Sequence, residues 1–161
     1  MDKKILIVYF SHSGNTTKVA SAIQELCGGV LFEVQPLSDY PKAYNDIIKQ
    51  SKIEIEAEEK PKLKVDIENA ESYDIIFVGS PNWWSTMAPP ISSFLSGHNF
   101  SGKTIVPFST HGGGGSGYIA QDISLLCPDS NVLDIFETYD NGSNGLESKV
   151  ASWLSQIGII K

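Results

Sequence analysis

The chain alternates between short unbroken apolar runs and longer stretches in which apolar residues return every three or four positions. Lys4-Ile5-Leu6-Ile7-Val8-Tyr9-Phe10 is the first run. It is too short for a buried helix and rich in β-branched and aromatic residues, so it predicts a strand covered on both faces, as in a parallel sheet. Asp74 to Ser80 is a second such run, and Thr104 to Ser109 is a third, with Pro107 in its interior. Proline cannot donate to a sheet ladder, which weakens the strand reading at that position. Val30 to Val34 and Val132 to Phe136 complete a set of five.

Helical spacing fills the intervals. Val19, Ile23 and Leu26 share a face after Thr16; Ile91, Phe94 and Leu95 follow the Pro89-Pro90 pair, and proline suits a helix start. Ile119, Ile123 and Leu126 share another face, and Leu146, Val150, Trp153, Leu154 and Ile157 form the clearest amphipathic pattern. Strands alternating with helices imply right-handed βαβ units and a parallel sheet. A chain of 161 residues without a composition break suits one domain over residues 1–161. Residues 36–73 carry the weakest pattern: Ile47, Ile48 and the charged stretch Glu54 to Lys64 suggest a solvated helix followed by a loop.

Composition narrows the functions. The formal net charge is −7, so the surface repels nucleic acid and anionic lipid and suits basic protein surfaces. Cys27 and Cys127 stand far apart with no metal-binding spacing, and they are expected as free thiols buried on helices. No metal site is expected. The N-terminal apolar run turns polar at Ser11, which fits neither a secretion signal nor a membrane span. A cytoplasmic, reducing compartment is the expectation.

Three loops carry the candidate chemistry, each at the carboxyl end of an expected strand, where open α/β sheets bind ligands. Ser11-His12-Ser13-Gly14-Asn15-Thr16-Thr17 lies between the first strand and the first helix. A helix start presents unpaired N–H groups and the positive end of a dipole, a setting for an anion. Gly14 permits the turn; Ser11, Ser13, Thr16 and Thr17 add hydroxyls, and no Lys or Arg precedes Lys18. An ordinary capped βα loop is the plainer reading. A Walker loop would need Gly-Lys-Ser/Thr, a dinucleotide fingerprint would need GxGxxG, and a cysteine phosphatase loop would need a Cys; all are missing. The second loop, Pro81-Asn82-Trp83-Trp84, holds two adjacent indoles, either a flat stacking surface or core packing beneath a loop. Neighbouring side chains point in different directions, so one of the two would face a ligand. The third, Thr110-His111-Gly112-Gly113 and the glycines beyond, lets backbone approach a ligand edge, or serves as a flexible linker.

Ser11-x-Ser13-Gly14-x-Thr16 after a buried strand resembles the phosphate loop of flavodoxins, which bind flavin mononucleotide, FMN. Pro-x-Trp-Trp-x-Thr-Met-Ala-Pro-Pro, followed by Thr-x-Gly-Gly, resembles a short-chain subgroup of flavodoxin-like flavoproteins, and the likeness runs along the whole chain. The resemblance implies a three-layer α/β/α sandwich around a five-stranded parallel sheet of order 2-1-3-4-5, with no long insert in the last strand. It implies FMN phosphate on Ser11, His12, Ser13, Gly14, Asn15 and Thr16, with His12 contributing its backbone and Thr17 beside them. The ring would lie among Pro81, Asn82, Trp83, Trp84, Thr110, His111, Gly112 and Gly113.

Two departures bear on function. Many electron-carrier flavodoxins place a tyrosine over the flavin from the loop after the fourth strand, where this chain has glycines and His111. They often have a glycine in the loop after the third strand, where Asn82 is here the residue most tolerant of positive φ. Three readings follow: an electron carrier docking basic redox partners, an FMN-dependent oxidoreductase passing hydride from NAD(P)H to quinones or similar acceptors, and a non-catalytic module of the same fold. No side chain is placed as an obvious acid, base or nucleophile. The acidic surface and the lack of any arginine favour the carrier, as a monomer or weak homodimer.

Overall fold

The computed structural model describes residues 2–161. Six strands and five helices alternate along it: β1 (Ile5–Tyr9), α1 (Asn15–Cys27), β2 (Val30–Glu33), α2 (Tyr44–Glu56), β3 (Ile75–Pro81), α3 (Pro89–Ser96), β4 (Thr104–His111), α4 (Ile119–Leu126), β5 (Asn131–Val132), β6 (Phe136–Tyr139) and α5 (Leu146–Gln156). All strand pairs are parallel, in the order β2-β1-β3-β4, with β5 and β6 sharing the remaining position beside β4. The continuous apolar runs lie in the middle of this sheet because both its faces are covered. Leu6, Val8, Ile76, Val78 and Ile105 point into one core layer with Ile91, Phe94, Ile119 and Ile123 from α3 and α4. Ile7, Phe77, Val106 and Phe108 point into the other with Val19 and Ile23 of α1 and Val150, Trp153 and Leu154 of α5.

The last strand differs from the single run expected over 132–136. Thr104 pairs with Asn131 and Ile105 with Val132, but Phe108 pairs with Phe136, so one extra residue has entered on the outer side. The break falls opposite Pro107. The carbonyls of Lys103, Ile105 and His111 accept N–H bonds from the last strand. Alternation along β4 therefore turns Pro107 towards that same neighbour, where it has no N–H to give. The slack is taken up by α5, whose Trp153 Nε1–H donates to the Asp134 carbonyl at 3.0 Å.

Pro107 does not shorten β4, which runs on through Thr110 to His111. Two of the expected loop residues are therefore strand residues, as is Pro81 at the end of β3. Between β2 and β3, α2 buries Ile47 and Ser51, and Pro36 bridges Leu63 in an isolated antiparallel contact. His98, just after α3, is clamped between Asp66 Oδ1 at 2.8 Å and Glu71 Oε1 at 2.7 Å. Cys27 is half-buried and Cys127 buried, and loss of water pushes both thiols up to about 11. No helix among the described residues is long and apolar enough to cross a membrane.

Candidate functional site

The three loops singled out from the sequence meet at the carboxyl edge of the sheet. The first is shaped by Gly14, which stands at φ +94° and precedes α1. The Gly14 N–H donates to Ser11 Oγ at 3.0 Å, which folds the loop into a tight turn. No side chain caps α1 and its first turn carries no acidic residue. The N–H groups of Asn15, Thr16 and Thr17 thus have no partner within the helix, and a positive dipole end meets no counter-charge of its own. Ser13 is exposed and His12 lies edge-on to Trp83 with centroids 6.3 Å apart. Thr16 departs from the simple picture of a phosphate-facing hydroxyl. It is buried, and its Oγ1 lies 2.9 Å from Thr110 Oγ1, which ties the start of α1 to the end of β4. Thr17 sits beside the Tyr9 hydroxyl, whose pKa is raised by burial and then by Glu33.

The structure separates the two tryptophans. Trp83 turns inward, edge-on to Tyr40 at 4.9 Å and to Phe10 at 5.4 Å. Trp84 turns outward onto α2, where its Nε1–H reaches Ser51 Oγ at 3.1 Å and the Ile48 carbonyl at 3.3 Å. Positive φ falls on Trp84 and Ser85 and not on Asn82, whose N–H pairs in sheet fashion with the Thr110 carbonyl. Asn82 has a different role. Its Nδ2 donates to the Gly115 carbonyl at 2.7 Å and joins the second loop to the third. Its Oδ1 is buried with no partner, the one such side-chain atom among the described residues. An orphaned acceptor is costly unless something supplies a donor.

In the third loop Gly112 and Gly113 are exposed, and the Gly113 N–H donates to His111 Nδ1 at 3.0 Å. The His111 ring lies 6.2 Å from that of Tyr139, edge to face. A tyrosine therefore does stand at this loop, delivered by β6 from outside the glycine-rich segment itself. The sequence reading also missed Tyr40 and Lys42. The segment after β2 folds back so that both line a cavity of about 260 Å³ together with Phe10, Ser11, His12 and Glu33. Lys42 is a cation that folding brings to the same cavity as Ser11 and His12, a placement that sequence distance gives no hint of. A larger cavity of about 390 Å³ lies between α2, α3 and α4 and holds none of the expected site residues.

Comparison with protein families identifies the arrangement. The flavodoxin family model matches residues 4–157. The chain belongs to the flavodoxin family. Among solved structures this flavodoxin is similar to a provisionally assigned flavoprotein from Bacteroides eggerthii, at 32% identity over 99% of this chain and 100% of that one, with a TM-score of 0.85. It also resembles a flavoprotein from Lactobacillus acidophilus NCFM solved in complex with FMN, at 24% identity over 94% of this chain and 99% of that one, TM-score 0.74. The oxidised flavodoxin 2 of Bacillus cereus shares the fold at 18% identity, 96% and 97% coverage and a TM-score of 0.62. No match is found among curated proteins. In this flavodoxin the uncapped helix start, the inward indole and the glycine run lie at the edge where the family architecture places its ligand.

Proposed function

We propose that this flavodoxin binds FMN without a covalent link and carries electrons between protein partners. The observation that carries the reading is the start of α1: left-handed Gly14, an uncapped first turn, and hydroxyls in place of charges. That donor set fits one phosphate. Ser11 and Ser13 would offer hydroxyls, and Asn15, Thr16 and Thr17 their N–H groups, while Thr110 fixes Thr16 from behind. Trp83 would form a wall for the ring, and the Gly112–Gly113 backbone would meet its edge. The buried, partnerless Asn82 Oδ1 fits a ligand that carries N–H donors, as an isoalloxazine does. The family membership and the FMN complex of the Lactobacillus acidophilus relative support the same choice.

Bound FMN supplies the redox chemistry; this chain orients it and sets its surroundings. All twelve cations are lysines, so nothing offers the bidentate grip that usually holds a dinucleotide phosphate. A net charge of −7 likewise disfavours NAD(P)H and favours basic partner surfaces. The exposed glycine loop is the feature that speaks for the second reading, an NAD(P)H-dependent oxidoreductase acting on quinones or similar acceptors. Titration of the apo-protein with FMN and with riboflavin tests the phosphate site, and FMN should bind far more tightly; equal affinities would refute it. Anaerobic stopped-flow mixing then separates the two roles. The carrier is reduced readily by dithionite and slowly by NADH or NADPH, whereas bleaching by a nicotinamide within seconds identifies the oxidoreductase.

A further inference from the structure

The turn from Trp83 to Thr86 is closed by two backbone bonds, Trp83 N–H to the Thr86 carbonyl at 2.9 Å and Thr86 N–H to the Trp83 carbonyl at 3.1 Å. Its central residues, Trp84 and Ser85, stand at φ +56° and +69°. Two successive left-handed residues define the mirror-image turn that Asn-Gly or Gly-Gly makes easily. A bulky indole followed by serine resists that backbone, so restraints outside the turn must hold it. The structure provides them from two directions. Tyr118 N–H donates to the Ser85 carbonyl at 2.7 Å, and the Thr86 hydroxyl bonds the Asp122 carboxylate at the start of α4. On the other side Trp84 is the tether. Its Nε1–H is shared between Ser51 Oγ and the Ile48 carbonyl, and the Lys52 ammonium lies 5.3 Å from the ring centroid.

The exposure of Trp84 shows that burial is not what the indole is for. It is 48% accessible to solvent, yet its one polar atom is committed to two acceptors on α2. Its neighbour Trp83 faces the opposite way, against Phe10, Tyr40 and His12 of the first-loop side. We propose that Trp84 is a positioning residue: it pins the left-handed turn to α2, and the pinned turn holds Trp83 against the first loop. Trp84 acts through Trp83 and does not touch the ligand. The proposal rests on the FMN reading for its ligand, but the tether is made of this chain's own residues and can be tested without FMN.

Three variants separate the possibilities. Trp84→Phe keeps a ring beside Lys52 and removes the N–H; Trp84→Ala removes both. The double change Trp84→Asn with Ser85→Gly removes the tether but installs residues that form the turn unaided. In the proteins without FMN, acrylamide quenching reports how firmly Trp83 is packed once all variants carry Trp153→Phe, which removes the remaining tryptophan from the signal. Because Trp84 is exposed and absent from all three variants, the comparison is made among them: Trp83 should be quenched more readily in Trp84→Phe and Trp84→Ala than in the double variant. In FMN titrations the two single variants should bind about tenfold more weakly, the scale of one lost side-chain hydrogen bond, and the double variant should recover most of that loss. Ser51→Ala should weaken FMN in the same direction, and its effect should shrink when Trp84→Phe is already present. A Trp84→Phe protein with unchanged FMN affinity, and with Trp83 quenched no more readily than in the double variant, would overturn the proposal. So would a double variant no better than Trp84→Ala, since the turn would then not be what Trp84 serves. Failure of the FMN reading would look different: wild type would not prefer FMN to riboflavin, while the quenching series in the apo-protein would still stand or fall by itself.

Discussion

Gly117 lies where the third loop passes under the second, and its replacement by alanine tests whether that close approach is real. The residue stands at φ +54°, and a Cβ built on it would sit 2.5 Å from the Ser85 carbonyl oxygen and 2.7 Å from the Ser85 Cα. Gly117→Ala therefore incurs two costs. The left-handed backbone costs a residue with a Cβ about 1–2 kcal/mol. The contact is with backbone, which cannot swing aside as a side chain tip can, and relieving it adds about 1–3 kcal/mol on the scale of overpacking. The sum is roughly 2–5 kcal/mol, a large fraction of the stability of a domain this size. Gly102 supplies the control. It has a similar φ of +78° but nothing within 4 Å of a built Cβ, so Gly102→Ala should incur only the backbone cost. Urea denaturation of both variants and the wild type, compared at constant m-value, measures the difference. Gly117→Ala should also weaken FMN, because Ser85 can retreat only by moving the turn that carries Trp83. If Gly117→Ala is no less stable than Gly102→Ala, the two loops do not approach as described.

Gly14→Val should abolish FMN binding and leave a folded chain: a Cβ at Gly14 meets nothing within 4 Å, so the fold has room, but a β-branched residue resists φ +94° and crowds the anion site. Retained flavin absorbance beside a native circular dichroism spectrum would count against the phosphate loop. Trp83→Ala should weaken FMN by about 1–3 kcal/mol, the range of a lost aromatic stack, and remove much of the fluorescence quenching that FMN causes; unchanged affinity would make Trp83 a core residue only. His98 makes stability depend on pH. Burial works against its charge, but the hydrogen bonds and charges of Asp66 and Glu71 prevail and raise its pKa above 6.5. The stabilisation is then complete below about pH 6.5 and disappears as pH climbs through the raised folded-state value. Thermal melts should show wild type losing more than His98→Gln over that rise, and parallel curves would refute it.

Much of the architecture was legible because both-sided burial writes itself as unbroken apolar runs, and β1, β3 and β4 are such runs. The weakest segment was weak for a physical reason. α2 rests largely on the surface, buries only Ile47 and Ser51, and so needs little apolar periodicity. The break in the last strand was hidden because periodicity reports what is buried and carries no record of which N–H groups find partners. Pro107 held the clue, but it reads as a defect in its own strand when its effect falls on the neighbour. At the site, local features transferred well: Gly14 and its hydroxyls follow from a strand leading into a helix. Features made by distant chain did not. Thr16 looked free until Thr110, 94 residues on, met its hydroxyl. Lys42 and Tyr139 arrive from segments with no motif of their own. Two adjacent tryptophans could be divided between an inward and an outward side only once α2 was seen to offer acceptors to one of them.

The interrupted last strand has a meaning for how molecules of this protein meet one another. A sheet that ends in a long straight strand offers a ladder of unused donors and acceptors, and a second chain can add itself there. Here that margin consists of two residues, a step, and four more, with the Asp134 carbonyl at the step already taken by Trp153. An incoming strand in register with β6 would be out of register with β5. The opposite margin, β2, is only four residues long. The fold thus discourages growth of the sheet from either side, a protection against fibre-like association that costs nothing at the carboxyl edge, where β4 and β6 stay paired through His111 and Tyr139.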